Sequence, residues 1–353
     1  MEPDAASPPA APSPRATLWA WVRVVVLAFL GALALRVFVL EAYRIPSESM
    51  ETSLLIGDYV LVSKVHYGSR VPVTLGIPLT DWYYDGFELP VLRFPGFTDP
   101  QRGDVVVFNY PPAAGPLDRK PHYIKRVIGL PGDTVHIKGK VVHVNDTPYP
   151  IQPYMKQRWI AYPKEGQRFP LDSLRGSGAE TIVRLPHNRR PRAFIGTPEV
   201  AARVESWPAI DSVGAFVAPP SALRRANLFP NDTTGYTRDD YGPLYVPAKG
   251  DTLPLTSATW GPLQDIITKY EGRTLFWSRS DSTFYVDDVP TQTYVVEQDY
   301  YFTMGDNRDA SEDSRSWGFV PKDHVVGKAV FVYFSYDADA NRMRRDRFLR
   351  RVP

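Results

Sequence analysis

From Leu18 to Leu40 every position is apolar except Arg23 and Arg36. A helix that crosses a bilayer core needs about 20 such residues, so the run predicts a transmembrane anchor over 18–40. Arg23 and Arg36 lie near its two ends, where long side chains reach toward headgroups. Trp19 and Trp21 suit an interfacial belt. A cleavable signal peptide is the competing reading, with Val24–Leu35 as its apolar stretch and Ala32-Leu33-Ala34 as a cleavage-like site; length and belt favour the uncleaved anchor. Arg15 and Arg23 on one side balance Arg36 and Arg44 on the other, so the charge count sets no orientation. Residues 1–17, rich in Pro, Ala and Ser, are expected to be disordered.

After the anchor the pattern turns to short β-branched runs bounded by Gly and Pro. Asp58–Lys64 and Asp104–Tyr110 read as strands, Thr134–Asp146 as a hairpin turning near Lys138-Gly139, and Thr283–Val296 as strand–turn–strand. Lys328–Tyr336 reads as a closing strand. Apart from the anchor, only Leu263–Tyr270 suggests a helix. Two regions interrupt this plan. Val65–Gln101 is rich in aromatics and proline, and its Trp82–Phe97 part suits either a membrane interface or core packing. Residues 151–282 are polar and weakly periodic, too long for a bare loop, and are expected to be an inserted β-rich subdomain. The predicted organisation is an antiparallel, mainly β core over 41–150 and 283–340, with the insertion between. A basic tail follows over 341–353, either solvated or touching anionic headgroups.

Composition changes this picture little. The chain of 353 residues is 43% hydrophobic and 23% charged with net charge +2, which gives no reason to expect nucleic acid as a partner. Cysteine is absent, which excludes a disulfide scaffold, a thiolate nucleophile and a Cys metal cluster. The histidines (66, 122, 136, 143, 187 and 324) form no ligand motif, and there is no phosphate-binding glycine loop. Neither a metal nor a cofactor is expected.

Candidate chemistry sits in three stretches. In "RIPSESMETSLLIGDYVLVSK", Ser47 and Ser49 follow a proline just past the anchor. A serine nucleophile needs a base, and no histidine is well placed. An ordinary lysine titrates near 10.4 and is cationic at neutral pH, but burial among apolar residues lowers that value. Lys125 in "YIKRVIGLPGD" has such neighbours, and on a strand Arg126 would face the opposite way. A strand with one exposed lysine is the plainer alternative. In "GDNRDASEDSRSWGFVP", Ser311 could orient a neutral lysine amine, and Asp313 and Arg315 could pair to fix the loop.

Together, in this order after an anchor, these stretches and "RGDVVVF" (102–108) resemble bacterial type I signal peptidases over roughly half the chain. The resemblance implies a mainly antiparallel β catalytic core, a Ser49 nucleophile, a Lys125 general base, and an oxyanion hole made by the Ser49 N–H and the Ser47 hydroxyl. Ser311, Asp313 and Arg315 would be supporting residues, while Asp306 and Asn307 look structural. It implies shallow apolar pockets near Tyr43, Ile45, Met50, Leu54, Val60, Val107 and Ile124. Substrates would be secreted preproteins, bound as an extended strand and cut after small residues in an A-x-A pattern. The enzyme would be a single-pass monomer of the bacterial inner membrane, with residues 1–17 cytoplasmic and its catalytic domain outside the cytoplasm. Glu48, Glu51-Thr52-Ser53 and Ala310 depart from the usual pattern; Glu48 and Glu51 are expected to face solvent. A self-cleaving repressor-type peptidase would need a DNA-binding domain that the sequence does not suggest. A relic, membrane-anchored β-rich scaffold is the remaining alternative.

Overall fold

The computed structural model describes residues 14–76, 82–180, 182–183, 192–218, 228–230, 235–278, 280 and 283–353. Most of the stretch expected to be disordered, residues 1–13, lies outside these. The apolar run forms helix α1, Pro14–Phe38, which starts earlier than the pattern suggested because Pro14 suits a first helical turn. Thr17–Phe38 is long and apolar enough to cross a membrane, and none of it is buried against the rest of the chain. The helix ends where Val39 N–H still reaches Leu35 O (2.8 Å). Its exit is tied down: Lys64 Nζ donates to Val37 O (3.1 Å), Ser69 Oγ donates to Phe38 O, and the Phe38 ring meets Phe94 edge-on at 5.9 Å.

A nine-stranded sheet follows. Its principal strands are β1 (Leu40–Arg44), β2 (Asp58–Ser63), β3 (Val105–Asn109), β4 (His122–Gly129), β5 (Tyr300–Met304), β6 (Val320–Pro321) and β7 (Val325–Asp337). Their spatial order is β1-β2-β7-β3-β4-β5-β6, and every pairing is antiparallel. Alternation along β3 supplies two cores at once. Val105 and Val107 pack with Ile45, Met50, Leu54 and Val60, while Val106 and Phe108 pack with Tyr67, Val127 and Trp317. A central strand buried on both faces shows no polar alternation.

The insertion is smaller than expected. Strands Gln157–Pro163, Ile182–Val183, Arg192–Gly196 and Ile210–Ala215 form a separate sheet. With helix Pro198–Glu205 it encloses its own core of Phe169, Leu174, Phe194, Val204 and Ile210. That helix begins at Pro198 under a Thr197 cap. By contrast, Tyr241, Leu244, Leu263, Ile266 and Ile267 pack against Ile128, Val135, Val142 and Phe302. The described residues between 228 and 278 therefore belong to the main body, held there by apolar contacts that a polar sequence average conceals.

Residues 341–353, expected to be a basic tail, are folded onto the sheet while most of their side chains stay exposed. Arg342–Met343 and Arg350–Arg351 pair with β7. Arg347, only 3% exposed, is drawn in by the buried carboxylate of Asp58: Nε lies 3.0 Å from Oδ1 and Nη2 lies 2.5 Å from Oδ2. Arg347 also donates to Ser53 O (2.9 Å), next to the serine loop. Breaking one side of a buried pair typically costs about 3–5 kcal/mol, since the other charge stays buried. We expect Asp58→Asn to lower the melting temperature in detergent strongly, and Arg347→Met added to it to cost less than the two single losses combined. Additive losses in the double variant would show that the pair is not coupled.

Candidate active site

The serine loop leaves the sheet at the end of β1. Ile45 is buried, Pro46 and Ser47 pass over the edge, and Glu48–Met50 close a 3-10 turn. Only Ser47 is extended (φ −131°, ψ 160°), so the two serines do not share the continuous extended segment that their spacing suggested. The turn still brings Ser47 Oγ to 3.4 Å from Ser49 Oγ. Met50, fully buried, anchors the turn, and its carbonyl accepts from Leu54 N–H (2.8 Å).

Lys125 lies on β4 opposite Val106 of β3. Its Nζ lies 2.8 Å from Ser49 Oγ and donates to Ile124 O at 3.0 Å. Tyr123, two residues back on the same face, sits 5.5 Å from the amine and is stacked on Tyr110 at 4.3 Å. Lys125 is 3% exposed. Burial drives its pKa from 10.5 down to about 8, against the opposing pull of Asp313, Asp306 and Glu312. Arg126 faces the other way and is equally buried. Its Nε and Nη2 grip Asp306 at 2.8 and 2.7 Å, and Ser53 Oγ donates to the same carboxylate (2.5 Å).

The third stretch closes over the serine loop. Asn307 N–H donates to Ser49 O (3.1 Å) and its Nδ2 donates to Glu48 O (3.2 Å). Asp313 pairs with Arg315 through Nε (2.9 Å) and Nη2 (2.8 Å) and accepts from Gly305 N–H (3.1 Å). Burial alone would raise the Asp313 carboxyl, but Arg315 holds it at about 2. Gly305 must be glycine, because a Cβ there would overlap Ser311 Oγ and the Ser49 carbonyl oxygen. Ser311 does not make the expected hydrogen bond to the lysine. Its buried hydroxyl has no partner among the described residues, while the lysine amine is met by Ser49 and Ile124 O.

A cleft of about 420 Å³ opens at Ser49 and Lys125, with Pro46–Ser49 on one wall, His122–Lys125 on another, and Ala310 and Glu312 beyond. The rings of Tyr43 and His122 lie 4.9 Å apart between β1 and β4. The seven anticipated pocket residues form one apolar cluster, but Ile45, Met50, Leu54, Val60 and Val107 are at most 2% exposed. They form the core behind the cleft; of the seven, only Ile124 lines it. A larger cavity of about 670 Å³ beyond Glu312 is lined by Tyr110, Phe229, Arg238 and Trp317 among others and holds neither Ser49 nor Lys125. Among the described residues, no group of three or more His, Cys, Asp or Glu could hold a metal ion.

Glu48 is exposed at the rim of the cleft. Glu51 does not simply face solvent, because Lys156 Nζ reaches it at 2.6 Å. Lys156 was not visible as a site residue in the sequence. Its position after "PYM", near the start of the expected insertion, gave no sign of the contact, which spans more than a hundred residues.

The model of the family described as "Signal peptidase, peptidase S26" matches residues 18–187 and 249–334. Among curated relatives, the Signal peptidase I of Buchnera aphidicola subsp. Acyrthosiphon pisum is 27% identical over 320 residues, covering 89% of this chain and 74% of its own. That of Aquifex aeolicus is 27% identical over 309 residues, covering 88% and 81%. That of Pseudomonas aeruginosa is 44% identical over 114 residues, covering 32% and 33%.

The lowered pKa makes a prediction about stability. Below pH 8 the folded chain must bury an ammonium, and above 10.5 the amine is neutral folded or unfolded. Stability therefore rises with pH between about 8 and 10.5. A drop of that size corresponds to about 3 kcal/mol, of which lost hydrogen bonds in a Lys125→Met variant would offset about 1. Lys125→Met should raise thermal stability at pH 7 by about 2 kcal/mol, with the gain fading toward pH 10.5. A gain that stays constant from pH 7 to 10.5 would contradict the depressed pKa.

Proposed function

The chain belongs to the signal peptidase S26 family, as a bacterial type I signal peptidase, a serine endopeptidase that removes signal peptides; on that premise we propose that Ser49 is its nucleophile and Lys125 its general base. The observation that carries this reading is the 2.8 Å approach of Lys125 Nζ to Ser49 Oγ at a buried site. A neutral amine at that distance can take the hydroxyl proton as Oγ attacks the scissile carbonyl. The oxyanion then accepts from Ser49 N–H and the Ser47 hydroxyl, donors already beside the reacting oxygen. The lysine, now an ammonium, protonates the departing amine. It next takes a proton from water, whose oxygen attacks the acyl ester, and returns that proton to Ser49 Oγ as the acyl C–Oγ bond breaks.

The cleft between the end of β1 and β4 suits an extended peptide. Its floor, backed by the apolar cluster, suits the small residues of an A-x-A cleavage site on secreted preproteins. The enzyme acts as a monomer and needs neither metal nor cofactor. Ser311, Asp313 and Arg315 serve the loop that carries Asn307 to the nucleophile's backbone.

The one apolar helix fits a membrane-anchored protein. We place its catalytic domain on the outer face of the bacterial inner membrane, where preproteins emerge. Two features support a site at the membrane surface. Ser49 follows α1 by a single short strand. Phe94 meets Phe38 at the helix exit, and Trp82, Tyr84, Phe87 and Phe97 of the same stretch of chain are exposed as it is, Phe97 by 82%, which suits an interfacial aromatic belt better than core packing.

Cleavage of a preprotein by the full chain in detergent tests the dyad. Ser49→Ala and Lys125→Ala should each abolish it, and cleavage that survives either change would remove that residue from the mechanism. The log of kcat/KM should fall by about one per pH unit below pH 8 and level off above it, because only the neutral amine accepts a proton. A profile flat down to pH 6 would rule out Lys125 as the base.

A further inference from the structure

The short stretch that leads into the separate sheet of 157–215 crosses the back of both catalytic loops. Tyr154 O accepts from Thr52 Oγ1 and, at 3.4 Å, from Ser53 Oγ. The Tyr154 ring lies 4.5 Å from the guanidinium of Arg126. Lys156 forms an isolated parallel bridge with Asn307: its N–H donates to Asp306 O (3.0 Å) and its carbonyl accepts from Arg308 N–H (2.9 Å). Its side chain is 2% exposed and ends between two carboxylates, Glu51 at 2.6 Å and Glu180. Glu51 stands two residues after the nucleophile. Asn307, held by the Lys156 backbone, binds the carbonyls of Glu48 and Ser49. Glu180 is fixed to the separate sheet through its N–H to Ile195 O (3.1 Å).

We propose that Lys156 is a positioning residue for Ser49, through which the separate sheet of 157–215 holds the serine loop at its working distance from the base. Its backbone holds the turn that carries Asn307 to the Ser49 carbonyl, and its ammonium holds Glu51, two residues past Ser49. The buried charge makes the contact selective: an unpaired ammonium at this depth is costly, so the strap seats only where both carboxylates meet it. Lys156 touches neither substrate nor the reacting atoms; it acts on catalysis by fixing where Oγ sits. A displacement of about 1 Å at a reacting group can cost up to 100-fold in rate. The inference rests on the assignment of Ser49 and Lys125.

The test is kcat and KM on a preprotein for the full chain in detergent. Lys156→Met, Glu51→Gln, the double variant and Lys156→Arg are compared beside Ser49→Ala and Lys125→Ala. Lys156→Met should lower kcat by about 10- to 100-fold and leave KM within about threefold of wild type. Glu51→Gln should reproduce most of that loss, the double variant should be no worse than Lys156→Met, and Lys156→Arg should recover a substantial part. Glu51 is partly exposed (29% of its side chain), so its neutral variant folds even where Lys156→Met does not. A wild-type kcat for Glu51→Gln or for folded Lys156→Met overturns the proposal, as do multiplicative losses in the double variant. Failure of the underlying dyad shows separately, as cleavage that persists in Ser49→Ala or Lys125→Ala.

Discussion

Two cations stand side by side on β4, and they need opposite fates. As the proposed base, Lys125 would have to lose its proton near neutral pH, whereas Arg126 keeps its charge in a site just as buried. The strand separates them by sending neighbouring side chains to opposite faces. Lys125 shares its face with Tyr123 and meets the serine loop, where no carboxylate among the described residues forms an ion pair with it. Arg126 meets the two-pronged acceptor of Asp306. Burial opposes the charge on both; only Arg126 has an opposing partner strong enough to raise its pKa. A register slip of one residue would exchange the two environments and leave an unpaired guanidinium against the serine.

The neighbouring carboxylates are managed by the same logic. Asp306 and Asp313 both pull the lysine pKa upward, and an unpaired carboxylate that close would keep Lys125 protonated. Each has its own arginine, Arg126 and Arg315, at bidentate distances. The paired charges give the third loop its shape and blunt two of the three carboxylates that act on the amine, Glu312 being the third. Burial is then the largest influence left on the lysine.

Local signals in the sequence carried much of this structure. The anchor, the short strands and the 134–146 hairpin could be read from periodicity and turn residues. Lys125 could be read from its apolar neighbours, and the serine pair from its place after the anchor. What escaped were contacts whose partners lie far apart in the chain. Arg347 looked like one of many arginines in a basic tail, because nothing nearby shows that Asp58 is buried without a cation. Lys156 and Glu51 each look like ordinary surface charges until the fold brings them together. The pocket residues show the opposite limit: their apolar character was legible, but depth is a tertiary property, and five of them lie beneath the cleft. The helical stretch from Trp260 to Tyr270 was legible over Leu263–Tyr270, whereas strand Tyr241–Tyr245 was obscured by a polar average over a region that is part insertion and part main body.

The long-range closures around the serine loop share one chemistry: Asp58 with Arg347, Asp306 with Arg126, and Glu51 with Lys156. Apolar packing alone could bury the same segments, and replacing buried ion pairs with it often adds stability. Yet apolar surfaces accept substitutions and small displacements with modest loss, whereas a two-pronged arginine–carboxylate pair is met in few geometries. The serine loop has an apolar core on one side and a cleft on the other, so packing constrains it from one direction only. Charge pairs at its flanks, with Asn307 on its backbone, supply the missing directions. The proposed proton transfer needs Oγ and Nζ to stay within hydrogen-bond reach, so directional contacts belong where these loops meet and apolar ones where the body only has to be full.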